Sequence, residues 1–143
     1  MNPEISTPQF SCYFSATPLG ARTARNITER QVAEWGHPRG SEANETAKQV
    51  VAELASNAVT HGRVRGRGCN LRLLLPSADI LRIEVSDPRG ERQLRYVIDP
   101  DAEHGRGLIL VTLLSLAWGV ADRQIGKTVW AEISLKEPGR NRR

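Results

Sequence analysis

Glu53-Leu-Ala-Ser-Asn57-Ala-Val-Thr-His61-Gly62 is the stretch on which the reading of this chain turns. It closes a run opening at Ser41 in which Ala43, Ala47, Val50, Val51, Leu54 and Ala58 recur at helical spacing. At ~100° per residue these positions share one sector roughly 100° wide, the width of a core-facing stripe. Glu53, Asn57 and His61 are spaced i, i+4, i+8 and form a polar line along that stripe. Asn57 and His61 fall inside it or at its rim, and Glu53 sits just beside it. A buried amide or carboxylate costs free energy unless backbone or a ligand satisfies it. Carboxylate and amide oxygens one turn apart suit a hard cation such as Mg²⁺ with retained waters. Glu53 could instead serve as general base on a hydroxyl or water. His61 has a second explanation, a favourable interaction with the dipole at a helix C-terminus.

Working outward, Gln9–Ala16 has the aromatic character and short extent of an opening strand. Thr17-Pro18 reads as an N-cap followed by proline at the first helical position, starting a helix that runs to about Trp35. Gly62 stops the second helix. Beyond the basic turn 62–68, two strands, Cys69–Leu75 and Ile80–Ser86, flank the hairpin-like turn at Pro76-Ser-Ala-Asp79. Residues 87–104 lack periodicity and read as a functional loop. Gly105-Arg-Gly107 then launches an apolar helix, Leu108–Leu116, and strands over about 117–122 and 127–135 finish the domain. Hairpin-linked strands dominate this β-α-α-β-β-loop-α-β-β order. The expected fold is α+β, a two-layer α/β sandwich with a mostly antiparallel sheet and helices on one face.

The chain has 143 residues, enough for one domain. Its expected organisation is a flexible N-terminus (1–8), a domain over 9–136 and a basic C-terminal tail (137–143). With 39% hydrophobic and 25% charged residues it is an ordinary globular composition. No apolar run approaches the ~20 residues that span a bilayer. The first residues lack the basic start and apolar centre of a signal peptide, so the expected compartment is the cytoplasm. Cys12 and Cys69 stand far apart without metal-ligand spacing and read as two plain thiols. The net charge of +4 sits largely in Arg63-Val-Arg65-Gly-Arg67 and in Arg140-Asn-Arg142-Arg143. Neither cluster interleaves aromatics for base stacking, so it reads as solvated charge and not as a nucleic-acid surface.

Two glycine clusters accompany the helix. Val85-Ser-Asp87-Pro-Arg-Gly90 ends a strand in an acid that can accept a hydrogen bond from an exocyclic amine. Gly105-Arg106-Gly107-Leu108 opens a helix whose N–H groups can approach phosphate oxygens. Each cluster alone is also an ordinary turn signal. Gly126-Lys127-Thr128 tempts toward a P-loop, but Ala121 occupies the position of the required glycine and the segment leads into a strand.

Together these blocks resemble the GHKL superfamily of ATPases and kinases, which has the Bergerat fold. Glu53-x-x-x-Asn57 is similar to its N box, Asp87-x-x-Gly90 to its G1 box, Gly105-x-Gly107 to its G2 box, and Gly126-Lys-Thr128 to its terminal box. The compact length and the wording of 53–62 look most like the actinobacterial stand-alone anti-sigma-factor serine/threonine kinases. The resemblance spans about residues 10–135. It implies ATP and Mg²⁺ as cofactors, with Asn57 on the metal and Glu53 as catalytic base. By the same analogy Asp87, helped by Thr128, binds the adenine amine. Gly105, Arg106, Gly107 and Leu108 border the phosphates, His61 and Gly90 adjoin the nucleotide, and residues 91–104 form a lid. Pro88 and Arg89 depart from the usual Asp-x-Gly-x-Gly, so Gly90 alone matches, and the lid carries Asp99, Asp101 and Glu103.

The resemblance further implies a regulatory kinase that phosphorylates an anti-sigma-factor antagonist of the STAS type, binds a sigma factor and can form a homodimer. It implies no direct nucleic-acid or membrane partner. The altered G1 box motivates the alternative, a non-catalytic binding module acting through protein–protein contact.

Overall fold

The computed structural model describes residues 7–61, 68–87, 103–122 and 126–136. Its elements are β1 (Gln9–Phe14), α1 (Pro18–Glu34), α2 (Glu42–His61), β2 (Cys69–Ser77), β3 (Ile80–Asp87), α3 (Glu103–Leu114), β4 (Ala117–Asp122) and β5 (Lys127–Ser134). The order is the one expected, with boundaries shifted by a few residues. The largest shift concerns α3. It starts at Glu103, so Gly105 and Gly107 lie inside the helix instead of ahead of it, and the expected lid loses its last two residues. Gly105 is tolerated there because the first-turn N–H groups have no intrahelical acceptor to preserve.

Local chemistry sets the helix starts. Thr17 is extended, and its hydroxyl accepts from the Gly20 N–H at 3.0 Å, with Pro18 at the first helical position. The Ser41 hydroxyl accepts from the Asn44 N–H at 3.3 Å ahead of α2. Gly36 follows α1 at φ 102°, a conformation that a side chain would strain.

The strands form one antiparallel sheet in the order β1-β2-β3-β5-β4. Alternation sorts their side chains. Leu71, Leu73, Leu81, Ile83, Val85, Val129, Ala131 and Ile133 are buried under the helices. Arg72, Arg82, Glu84 and Glu132 lie on the other face, where Arg82 reaches Glu84 at 2.8 Å and Glu132 at 3.1 Å and stacks over Trp130.

Helix α2 lies at the centre of the helical layer, packed against α1, α3, β3 and β5. Its buried sector is therefore wider than one stripe and adds Ala55 and Val59 to the expected residues. Asn44 is also buried, its amide donating to the carbonyls of Glu29 (3.0 Å) and His37 (2.8 Å) and tying α1 to α2. No helix among the described residues is long and apolar enough to cross a membrane.

Candidate functional site

Asn57 lies one turn before the end of α2 and is 4% exposed. Its Nδ2 is buried without a hydrogen-bond partner among the described residues. An amide left so costs on the order of 1–3 kcal/mol, so its retention calls for a ligand or a solvent molecule. Glu53, one turn earlier, is half-buried, and burial raises its carboxyl above the usual range. A carboxylate held that way is a stronger proton acceptor than a solvated one.

Asp87 ends β3 and is 3% exposed. It faces Lys127 across the β3–β5 pair, and Lys127 in turn faces Asp122 on β4. On the other side, Asn70 pairs with Ser86, which brings Cys69 level with Asp87. The Cys69 thiol is pushed up to about 11, by burial first and then by the Asp87 charge. Cys69 and Lys127 are the neighbours that the sequence reading missed. One was read as a plain thiol, the other as part of a P-loop decoy. Only the strand register reveals them.

Thr128 has a hydroxyl neighbour across the strand pair. It pairs with Ser86, the two hydroxyls 2.8 Å apart, in the alternating set opposite to Asp87 and Lys127. Leu108 is buried at 1% exposure, an interior residue of α3. Gly105, Arg106 and Gly107 fall in the opening turns of α3, and their side-chain surroundings lie outside the described residues. So do the side chain of His61, the last residue of α2, and all of Gly90 and of the expected lid up to residue 102.

No cluster of three or more His, Cys, Asp or Glu capable of holding a metal occurs among the described residues. Mg²⁺ fits such a site when it takes one or two protein oxygens and completes its shell with waters and substrate phosphates. Glu53 and Asn57, one turn apart on α2, carry a carboxylate and an amide oxygen, donors of that kind.

No family model matches the chain, and no curated protein matches it. A solved structure does, that of the RsbU and RsbW domains of Rv1364c from Mycobacterium tuberculosis, at 21% identity and a TM-score of 0.67. The match covers 92% of this chain and 34% of that one, so this chain spans about a third of its length. At that identity the likeness establishes architecture and not activity. The chain shares its fold, a two-layer α/β sandwich, with the structure of those mycobacterial domains.

Proposed function

We propose that this protein is an ATP-dependent regulatory kinase that phosphorylates a serine or threonine of a STAS-type anti-sigma-factor antagonist and also binds a sigma factor. The observation that carries the reading is the buried Asn57, whose Nδ2 has no partner among the described residues, one turn from a half-buried Glu53 with a raised pKa. The fold shared with the RsbU and RsbW domain structure supports it.

In this reading Mg-ATP supplies the transferable phosphoryl group. Asn57 contributes its oxygen to the metal, and Glu53 accepts the proton of the attacking hydroxyl. Asp87 accepts from the adenine amine, and the N–H groups opening α3 face the phosphates. Positioning and electrostatics carry most of the rate in such transfers, so Glu53 needs only a modestly raised proton affinity.

Isothermal titration of the full chain with Mg-ATP, followed by a phosphotransfer assay with a candidate antagonist, tests the reading. Asn57→Ala should abolish metal-dependent binding, and Glu53→Ala should abolish transfer while sparing it. Absence of binding at millimolar nucleotide would sink the ATP-dependent reading. Pro88 and Arg89 in place of the usual glycine pattern favour a second reading, a binding module without catalysis. That reading predicts partner capture unaffected by Glu53→Ala.

A further inference from the structure

We propose that Lys127 is the positioning residue for base recognition in the candidate nucleotide site, its ammonium holding the Asp87 carboxylate ionised and in place as an acceptor. Asp87 as the acceptor for an exocyclic amine belongs to the function proposed above, and this role of Lys127 rests on it. The two residues are direct partners in the β3–β5 ladder, where opposite Cβ atoms stand about 4.5–5.5 Å apart. Lys127 is 8% exposed and Asp87 3%. Along β5 the same alternating set continues as Val129, Ala131 and Ile133, all buried beneath the helices. A lysine opening this apolar row needs its charge met, since buried ammonium groups are almost always paired.

The neighbouring pairs hold the two at one level. Ser86 and Thr128, one step along the ladder, bring their hydroxyls to 2.8 Å on the opposite face and tie β3 to β5 there. Cys69 on β2 comes level with Asp87, and its thiol, pushed up to about 11 by burial and then by the Asp87 charge, brings no counter-charge. Asp122 holds the position opposite Lys127 on β4, so the ladder sets one cation between two acids.

A carboxylate this deep without a counter-charge is driven toward its neutral form, and an opposite charge alongside reverses that drive. Recognition turns on the difference. An ionised carboxylate only accepts, through about four lone-pair sites on two oxygens, whereas a protonated one also donates. Pairing with Lys127 uses part of that capacity and leaves the rest for the N–H groups of an amine such as the one on adenine. A protonated carboxyl would turn a donor toward them.

Isothermal titration with Mg-ATP and with the magnesium salt of purine riboside triphosphate, which lacks the amino group, isolates that contact. The parent should favour ATP by about tenfold, the value of one hydrogen bond to a charged group. Lys127→Met should erase this preference while binding the analogue as the parent does. A preference that survives Lys127→Met overturns the proposal, as does equal weakening of both nucleotides, the mark of a merely structural role. Urea denaturation of the parent, Lys127→Met, Asp87→Asn and the double variant tests the pair without nucleotide. Lys127→Met should unfold at lower urea, and adding Asp87→Asn should recover part of the loss, because no buried charge then stands alone. A Lys127→Met chain that folds only with Asp87→Asn supports the pairing equally, and strict additivity overturns it. A parent that binds neither nucleotide overturns the kinase reading and this role together. A parent that prefers ATP while Lys127 and Asp87 prove uncoupled overturns this role alone.

Discussion

Ser86 Oγ and Thr128 Oγ1 lie 2.8 Å apart, one hydroxyl on each of the paired strands β3 and β5, one residue from Asp87 and Lys127. Ser86 is 9% exposed, so its hydroxyl depends on this partner more than a surface serine would. Thr128→Val keeps the shape and removes the partner. It should cost about 1 kcal/mol of stability, read from urea denaturation. Adding Ser86→Ala should recover part of that loss, since no orphaned hydroxyl then remains. An additive double variant would show that the pair contributes nothing.

Gly20 supplies a reversal of the usual rule. Replacing an interior helical glycine by alanine ordinarily stabilises by about 1 kcal/mol. Here the added methyl would collide with the backbone carbonyl of Ser15, just ahead of the Thr17 cap. Gly20→Ala should instead destabilise by roughly 2–3 kcal/mol, visible as a lower melting temperature. A higher melting temperature would mean that the β1–α1 connection yields freely.

Glu53 makes the fold sensitive to pH. Burial raises its carboxyl above the ordinary 4.5, so the folded state favours the protonated form. That contribution is fully present below 4.5 and is lost as pH rises through the raised value. Glu53→Gln stays neutral, so its advantage over the parent should grow from mildly acidic to neutral pH. Parallel thermal melts would show the two curves diverging. Curves that remain parallel would place the carboxyl in an ordinary, solvated setting.

Cys69 reports on Asp87. Its thiol sits at about 11 against an ordinary 9.0, through burial and the neighbouring carboxylate. Stability from the protonated thiol is present below 9.0 and lost as pH climbs through 11. Asp87→Asn removes the like charge and leaves the burial, so the thiol should titrate lower yet still above its ordinary value. Thiolate absorbance against pH, in a Cys12→Ser background, measures this. An unmoved titration would show that the two groups do not sense each other.

The fold was legible because its signals are local. The cap at Thr17-Pro18, the glycine after α1, the α2 stripe and the short alternating strands each act within a few residues. The misjudged boundary is equally local in cause. Gly105 and Gly107 read as a loop because glycine weakens helices, but at Gly105 the first turn has few hydrogen bonds for it to weaken. In the candidate site the i, i+4 relation of Glu53 to Asn57 follows from helical geometry alone. Asn44 escaped notice because its value lies in carbonyls at positions 29 and 37, which only the packing of α1 on α2 brings near.

The amino-acid order by itself determined a helix with a polar line on its buried side, an acid closing a strand, and an uncharged stretch from Leu108 to Ala121. What stands beside that acid was decided by the sheet. Starting from the hairpin, Ser77 pairs with Ile80, and an unbroken ladder would carry Asn70 opposite Asp87. The irregularity between Leu74 and Ser77 shifts the pairing by one, so Asn70 meets Ser86 and Cys69 comes level with Asp87. One residue of slip moves every side chain of a strand to the other face. Nothing in the local sequence announces that slip. It is settled by which face of β2 must bury Cys69, Leu71 and Leu73 beneath the helices.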